Sequence, residues 1–267
     1  NQFNHVILMV PVDNDTLWLE STNQQIPYNY LGSFTDNRPA LLINGIESCI
    51  VRTPEMSREM NQQNQICVVN LDKTGGGDAL MTAIYTGEYF DQNLNRLNLD
   101  YEDQKKRLES AIQMPDLSIN SFTIEQADET SAKLIENVDF SFKNFGSLMG
   151  NRIILPLIFN SGLSFVPPNY QKKKFDIYIQ RSVMQKDSIV YRLPDDASVE
   201  ALPQKASFAN KFGSYQSFIE ISERGEIIFT RTFCLNKGKY PAETYDDFRD
   251  FFELVQKADY RKALIQL

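Results

Sequence analysis

Tyr215-Gln216-Ser217-Phe218-Ile219-Glu220-Ile221-Ser222, then Glu223-Arg224-Gly225-Glu226, then Ile227-Ile228-Phe229-Thr230-Arg231-Thr232-Phe233-Cys234-Leu235 is the stretch on which the fold turns. Two runs rich in β-branched and aromatic residues flank a polar tetrapeptide that contains a glycine, the pattern of a β-hairpin. Side chains alternate between the faces of a strand, so Ile219 and Ile221 can face the same core as Ile227, Phe229 and Phe233. Arg231 shares that inward phase. A charge there needs either a rim position or a partner.

Working outward, strand patterns recur at Ser118 to Gln126, Ile135 to Lys143, Arg152 to Phe159, Phe175 to Ile179, Ser188 to Leu193 and Ala206 to Phe212. Val138, Phe140 and Phe142 alternate with Asp139, Ser141 and Lys143, as in a sheet with one wet face. Ile153 to Phe159 is apolar throughout but contains Pro156, which lacks the donor a central strand uses, so an edge or bulge is expected. Further upstream, Gln65 to Asn70 and Ala79 to Tyr89 read as strands joined by Gly75-Gly76-Gly77-Asp78. That glycine run is a turn and not a phosphate loop, because no Lys-Ser/Thr follows it. Two helices stand out. Tyr101 to Met114 ends before Pro115, and Ala242 to Ala258, introduced by Pro241, repeats Tyr245, Phe248, Phe252 and Val255 at helical spacing. The fold class read from these patterns is mainly β (α+β): an antiparallel β-sandwich or open barrel with one mid-chain helix and a packed C-terminal helix.

Composition narrows function. A chain of 267 residues is long enough for one large or two ordinary domains. The polar stretch Glu55 to Gln65 is the expected boundary between residues 1–60 and 61–267. Net charge is −8 and the basic residues gather only at Lys172-Lys173-Lys174, read as a solvated loop, so nucleic acid is not an expected partner. Three widely spaced cysteines, Cys49, Cys67 and Cys234, with a single histidine, argue against a metal site, and no cofactor is expected. The spacing does not say whether any two form a disulfide. No run of about twenty apolar residues is present, hence no expected membrane span.

The single histidine and single tryptophan lie close together, in Phe3-Asn4-His5-Val6-Ile7 and, after a turn at Asp13-Asn14-Asp15, in Leu17-Trp18-Leu19-Glu20-Ser21-Thr22. If the two runs pair, an imidazole and a carboxylate become cross-strand neighbours, the arrangement of a base and its orienting acid. These residues resemble the second half of a transglutaminase-like core, a papain-type Cys/His/acid arrangement in which the histidine opens one strand and the acid closes the next in a phrase like W-x-D-x-T. His5 matches the histidine and Glu20 falls on the acid, with Glu in place of the family's Asp and Ser21 in place of its common Pro. Arg181, Asp187 to Pro194, Val199 to Pro203, Lys239 to Glu243 and Phe248 to Phe252 look like the uncharacterised β domain that follows this core in cell-envelope proteins of the Bacteroides group.

The resemblance implies that residues 1–60 are a remnant of the catalytic core and 61–267 a β-rich domain. His5 and Glu20 are then the catalytic residues by resemblance, with the nucleophilic cysteine absent from the chain. The implied role is that of a non-catalytic C-terminal region of a cysteine peptidase or amide-transfer protein, periplasmic or in the cell envelope, structural or binding in function. Two alternatives stand beside it: a β-sandwich module that recognises a protein, peptide or glycan, and a part of an active enzyme whose nucleophile lies upstream of residue 1. Acidic pairs at Asp195-Asp196 and Asp246-Asp247 are read as solvated, since adjacent acids point in different directions.

Overall fold

Runs that alternate apolar and polar residues form most of the secondary structure, as they must when one face of a sheet is buried and the other wet. In a computed structural model, which describes residues 3–13, 15–163, 165–170 and 173–267, strand makes up 43% and helix 18%. The tip of the Asp13–Asp15 turn and the first lysine of the basic run fall outside the described residues.

In chain order, β1 (Leu8–Val12) and β2 (Asp15–Leu19) form a hairpin, α1 (Gly32–Thr35) is a single turn, and β3 (Pro39–Leu42) pairs with β4 (Cys49–Arg52). Then come β5 (Gln62–Leu71), β6 (Gly77–Thr86), α2 (Glu88–Leu94), α3 (Tyr101–Ala111), β7 (Ser118–Gln126) and β8 (Lys133–Phe142). Shorter strands follow, β9 (Ser147–Met149), β10 (Arg152–Pro156) and β11 (Ile177–Ile179), before the long β12 (Val183–Arg192). The remainder is β13 (Ser198–Ala201), β14 (Ala206–Asn210), β15 (Gly213–Ile221), β16 (Ile227–Leu235), β17 (Gly238–Tyr240), α4 (Tyr245–Asp259) and β18 (Lys262–Gln266). Asp100 caps α3 by accepting from the Asp103 backbone N–H at 2.9 Å.

The main sheet has eight strands in the order β14-β15-β16-β12-β5-β6-β8-β7. It is open, and mixed rather than wholly antiparallel: two antiparallel halves meet where β12 runs parallel to β5. That one parallel pair needs a long crossover, and residues between β6 and β12 supply it. A four-stranded sheet, β13-β18-β10-β9, stacks over part of its inner face. Ile153, Leu155 and Ile265 of the smaller sheet share a core with Ile189, Tyr191 and Phe229 of the larger, all 2% exposed or less. Each such side chain contributes roughly 1.5–3 kcal/mol by leaving water. Beyond the small sheet the same inner face is covered by α4, through Phe251 and Val255 against Phe212, Tyr215 and Phe233, and by α2, through Phe90 and Leu94 against Ala83 and Tyr85.

Across the sheet, bordering these three apolar clusters, runs a row that is polar at every position but Ala83. Ser217, Arg231, Asp187, Gln65, Ala83 and Glu136 stand opposite one another across six neighbouring strands, and all six are buried. Pro156 sits at the end of β10, an interior strand, but β9 covers only Arg152 to Ile154, so the proline is locally on an edge. Ala79 to Tyr89 is not one strand: β6 stops at Thr86, Gly87 turns the chain at φ +58, and α2 begins, giving a second mid-chain helix.

Candidate functional site

The β1–β2 hairpin carries both sequence-predicted site residues just outside its paired region, His5 before β1 and Glu20 after β2. The last pair is Leu8 opposite Leu19. Continuing that register puts Thr22 opposite His5 and makes Glu20 its diagonal neighbour. Diagonal neighbours are about 7–8 Å apart at the backbone, a span that favours a long acid. The extra methylene of Glu over Asp suits this placement.

The two side chains meet. His5 Nε2 and Glu20 Oε2 are 2.5 Å apart. The second carboxylate oxygen accepts from the Thr22 backbone N–H at 2.9 Å and from its hydroxyl at 2.7 Å. Burial works against ionisation of Glu20, but the hydrogen bonds from His5 and Thr22 outweigh it and hold the carboxyl below its ordinary range. Phe34 of α1 lies edge-on to the imidazole with centroids 5.2 Å apart, which fixes the ring from its other side. Beside the pair an open trough of about 710 Å³ is walled by Phe3, Ile7, Leu8, Ser21 and Thr22. With Nε2–H donated to a carboxylate, the lone pair of Nδ1 is left to accept a proton.

No cysteine lines this trough. Cys67 and Cys234 are buried within the large sheet, and burial pushes the Cys67 thiol up to about 12, far from a thiolate. Cys49 is exposed, opposite Leu42, at the end of the β3–β4 hairpin farther from α1. At about 3.3 Å per residue it lies about 10 Å beyond the Pro39–Arg52 end. All three are free thiols. Among the described residues no group of His, Cys, Asp and Glu could hold a metal ion.

A second constellation, which sequence reasoning touched only at Arg231, is the buried polar row. Arg231 is bound by Asp259 through Nε and Nη2, at 2.8 and 3.2 Å, and by Asp187 through Nη1 at 3.0 Å. Ser161 and Tyr215 donate to the same carboxylates. Farther along, Arg96 pairs with Glu136, which also accepts from Tyr85 at 2.7 Å. The signal was available: Glu136 has the inward phase of Leu134 and Val138, and Gln65 that of Cys67 and Val69. The paired acids Asp195-Asp196 and Asp246-Asp247 gather no second carboxylate; Asp196 lies 4.0 Å from Lys73 and Asp247 3.7 Å from Lys211.

Residues 150–265 match the family described as "Domain of Unknown Function with solved-structure structure (DUF3858)". The match runs from β10 to β18 and does not include His5 or Glu20. One solved structure, described as a "putative protease" from Parabacteroides distasonis, is 18% identical over 37% of this chain, with a TM-score of 0.31. The match spans 20% of that chain. No curated protein matches.

Proposed function

We propose that His5 and Glu20 are the proton-accepting and orienting members of a Cys/His/acid arrangement of the transglutaminase-like kind. The remainder of the chain is then the region that accompanies such a core in a protein that hydrolyses or transfers amides. The observation that carries this reading is the carboxylate of Glu20, which holds the imidazole at 2.5 Å with one oxygen while Thr22 fixes the other. A carboxylate tied in this way selects one tautomer and stabilises the imidazolium formed when the ring takes a proton.

In the reaction so proposed, Nδ1 takes the proton of a thiol, the sulfur bonds to the amide carbonyl carbon, and the C–N bond breaks as the proton passes to the leaving amine. Within this chain no thiol reaches the ring, so the nucleophile comes from another segment of the parent polypeptide. By itself the chain is non-catalytic. The envelope setting implied by the same resemblance belongs to the proposal and is checked by cell fractionation.

Peptide-amide hydrolysis and primary-amine incorporation, measured on the natural full-length polypeptide, test the reading. His5→Ala is expected to lower turnover by about 10²–10⁴ with folding retained, and Glu20→Gln to lower it less. Unchanged turnover in His5→Ala overturns the assignment. So does activity in the isolated chain that Cys49→Ser removes. Independently of activity, long-range proton–nitrogen NMR of the single histidine is expected to show the Nε2–H tautomer, and to lose that preference in Glu20→Gln.

A further inference from the structure

At the Glu136 end of the buried polar row the covering layer is open. A cleft of about 640 Å³ lies there between the sheet and helices α2 and α3, within the size range of small-ligand sites. Over Arg231 the row is sealed by Asp187, Asp259, Ser161 and Tyr215. Here closure is incomplete. Arg96 reaches Glu136 and Asn93, yet its Nε has no partner among the described residues. Neither has Asn160 Oδ1, nor Gln65 Nε2 behind it, although all three atoms are buried. A buried donor or acceptor without a partner is the exception in folded proteins, and here two donors and one acceptor of that kind stand beside the cleft.

The lining selects the class of ligand. Gln63, Gln92, Asn93, Gln113 and Asn160 wall the cleft, and each amide offers two donor hydrogens and an acceptor oxygen. Hydroxyl groups match this set, since one oxygen donates and accepts. A phosphate or carboxylate would call for donors alone and would leave the amide oxygens unmatched; of the cations in the lining, Arg96 is paired with Glu136 and Lys106 at the mouth with Asp103 at 3.2 Å, which leaves Arg107 as the one lining cation without an ion pair among the described residues. Tyr85 and Tyr89 contribute aromatic wall, against which the C–H face of a pyranose packs. A peptide main chain also donates and accepts, but β5, β6 and β8 beneath the cleft have neighbours on both sides, so no strand edge is open to it.

We propose that this cleft binds a short neutral oligosaccharide, its hydroxyls on the amide side chains and a ring face on the tyrosines. The proposal is independent of His5 and Glu20. Nitrogen-15-labelled full chain is titrated at millimolar concentration with cellotriose, maltotriose, mannotriose and triacetylchitotriose, and separately with tetra-alanine, while backbone and side-chain amide resonances are followed. At least one trisaccharide is expected to shift the side-chain amides of Gln92, Asn93 and Asn160 and to saturate. Asn160→Ala is expected to weaken that binding about tenfold. Ala111→Trp, at an exposed position on the rim, is expected to abolish it with the rest of the spectrum unchanged, and His5→Ala to leave it intact. The proposal falls if no trisaccharide moves those resonances, if the shifts gather elsewhere, if Ala111→Trp still binds, or if tetra-alanine binds there and the sugars do not.

Discussion

Arg231 carries a full positive charge at a position with no exposed side-chain surface, and the protein tolerates it because two carboxylates and their own donors come with it. Burial pushes the Asp187 carboxyl above its ordinary range, against the pull of Arg231 and Ser161. A carboxyl raised in the folded state contributes stability that is complete at low pH and lost as pH rises through the folded value. Arg231→Met keeps the volume and removes the charge, leaving carboxylates buried without their counterion. Breaking a buried pair in this one-sided way costs about 3–5 kcal/mol. The penalty is expected to be largest near neutral pH and to shrink as the medium is acidified, because a carboxyl raised by burial takes up its proton in the folded state before the same group does in the unfolded chain. Urea unfolding midpoints at about pH 7 and about pH 5 check this, and a penalty that does not change with pH contradicts it.

Among the elements, the β5–β6 turn shows how a short glycine run is used. Gly75 has φ +80, and a Cβ added there would stand 2.1 Å from the Gly146 carbonyl oxygen, whose own N–H donates to Gly75 O at 2.8 Å. Gly75→Ala therefore meets both a left-handed backbone, about 1–2 kcal/mol for an L side chain, and a backbone clash that forces the two loops apart. A cost near 2 kcal/mol lowers Tm by roughly 4–8 °C in a chain of this size. A calorimetric scan with no loss would refute the close approach of these loops. The turn, its hairpin, the β15–β16 hairpin, β7, β8, α3 and α4 were all legible, because each announces itself by local period or by a breaker residue. What was not legible depends on distant partners. Lys262–Gln266 is a short polar–apolar run that nothing local marks as a strand, yet as β18 it lies between β10 and β13. The parallel pairing of β12 with β5 is likewise a tertiary choice. Of the candidate residues, His5 and Glu20 stand at strand ends in phrases that carry a family resemblance, whereas Arg96, Asn160 and Glu136 converge from a short turn of helix, a loop and a strand and leave no common phrase in the sequence.

Across the whole molecule, burial is uneven in a way that bears on how the chain unfolds. From Phe3 to Thr22 no described residue is fully buried, while β5, β6, β8, β12 and β16 each present a fully buried face. The hairpin segment is held to the chain that follows it, through the Phe34 ring on His5 and the Trp18 N–H donated to Asn29 at 3.0 Å. Local stability follows buried apolar contact, so the hairpin is expected to open before the sheets do. Trp18, the single tryptophan, lies in that hairpin and reports on it alone. In urea the fluorescence transition is expected at a lower concentration than the far-ultraviolet circular dichroism transition, which follows the strands. The pH dependence separates them further. Glu20 is held below its ordinary range, so its contribution is complete above the usual glutamate pKa and is lost as pH falls through the lowered folded value. Acidification through that window is expected to move the fluorescence midpoint down, and Glu20→Gln to remove this component while leaving the dichroism transition in place. Coincident transitions at every pH would mean that the histidine and its acid are held by the cooperative fold of the whole chain and not by the hairpin that carries them.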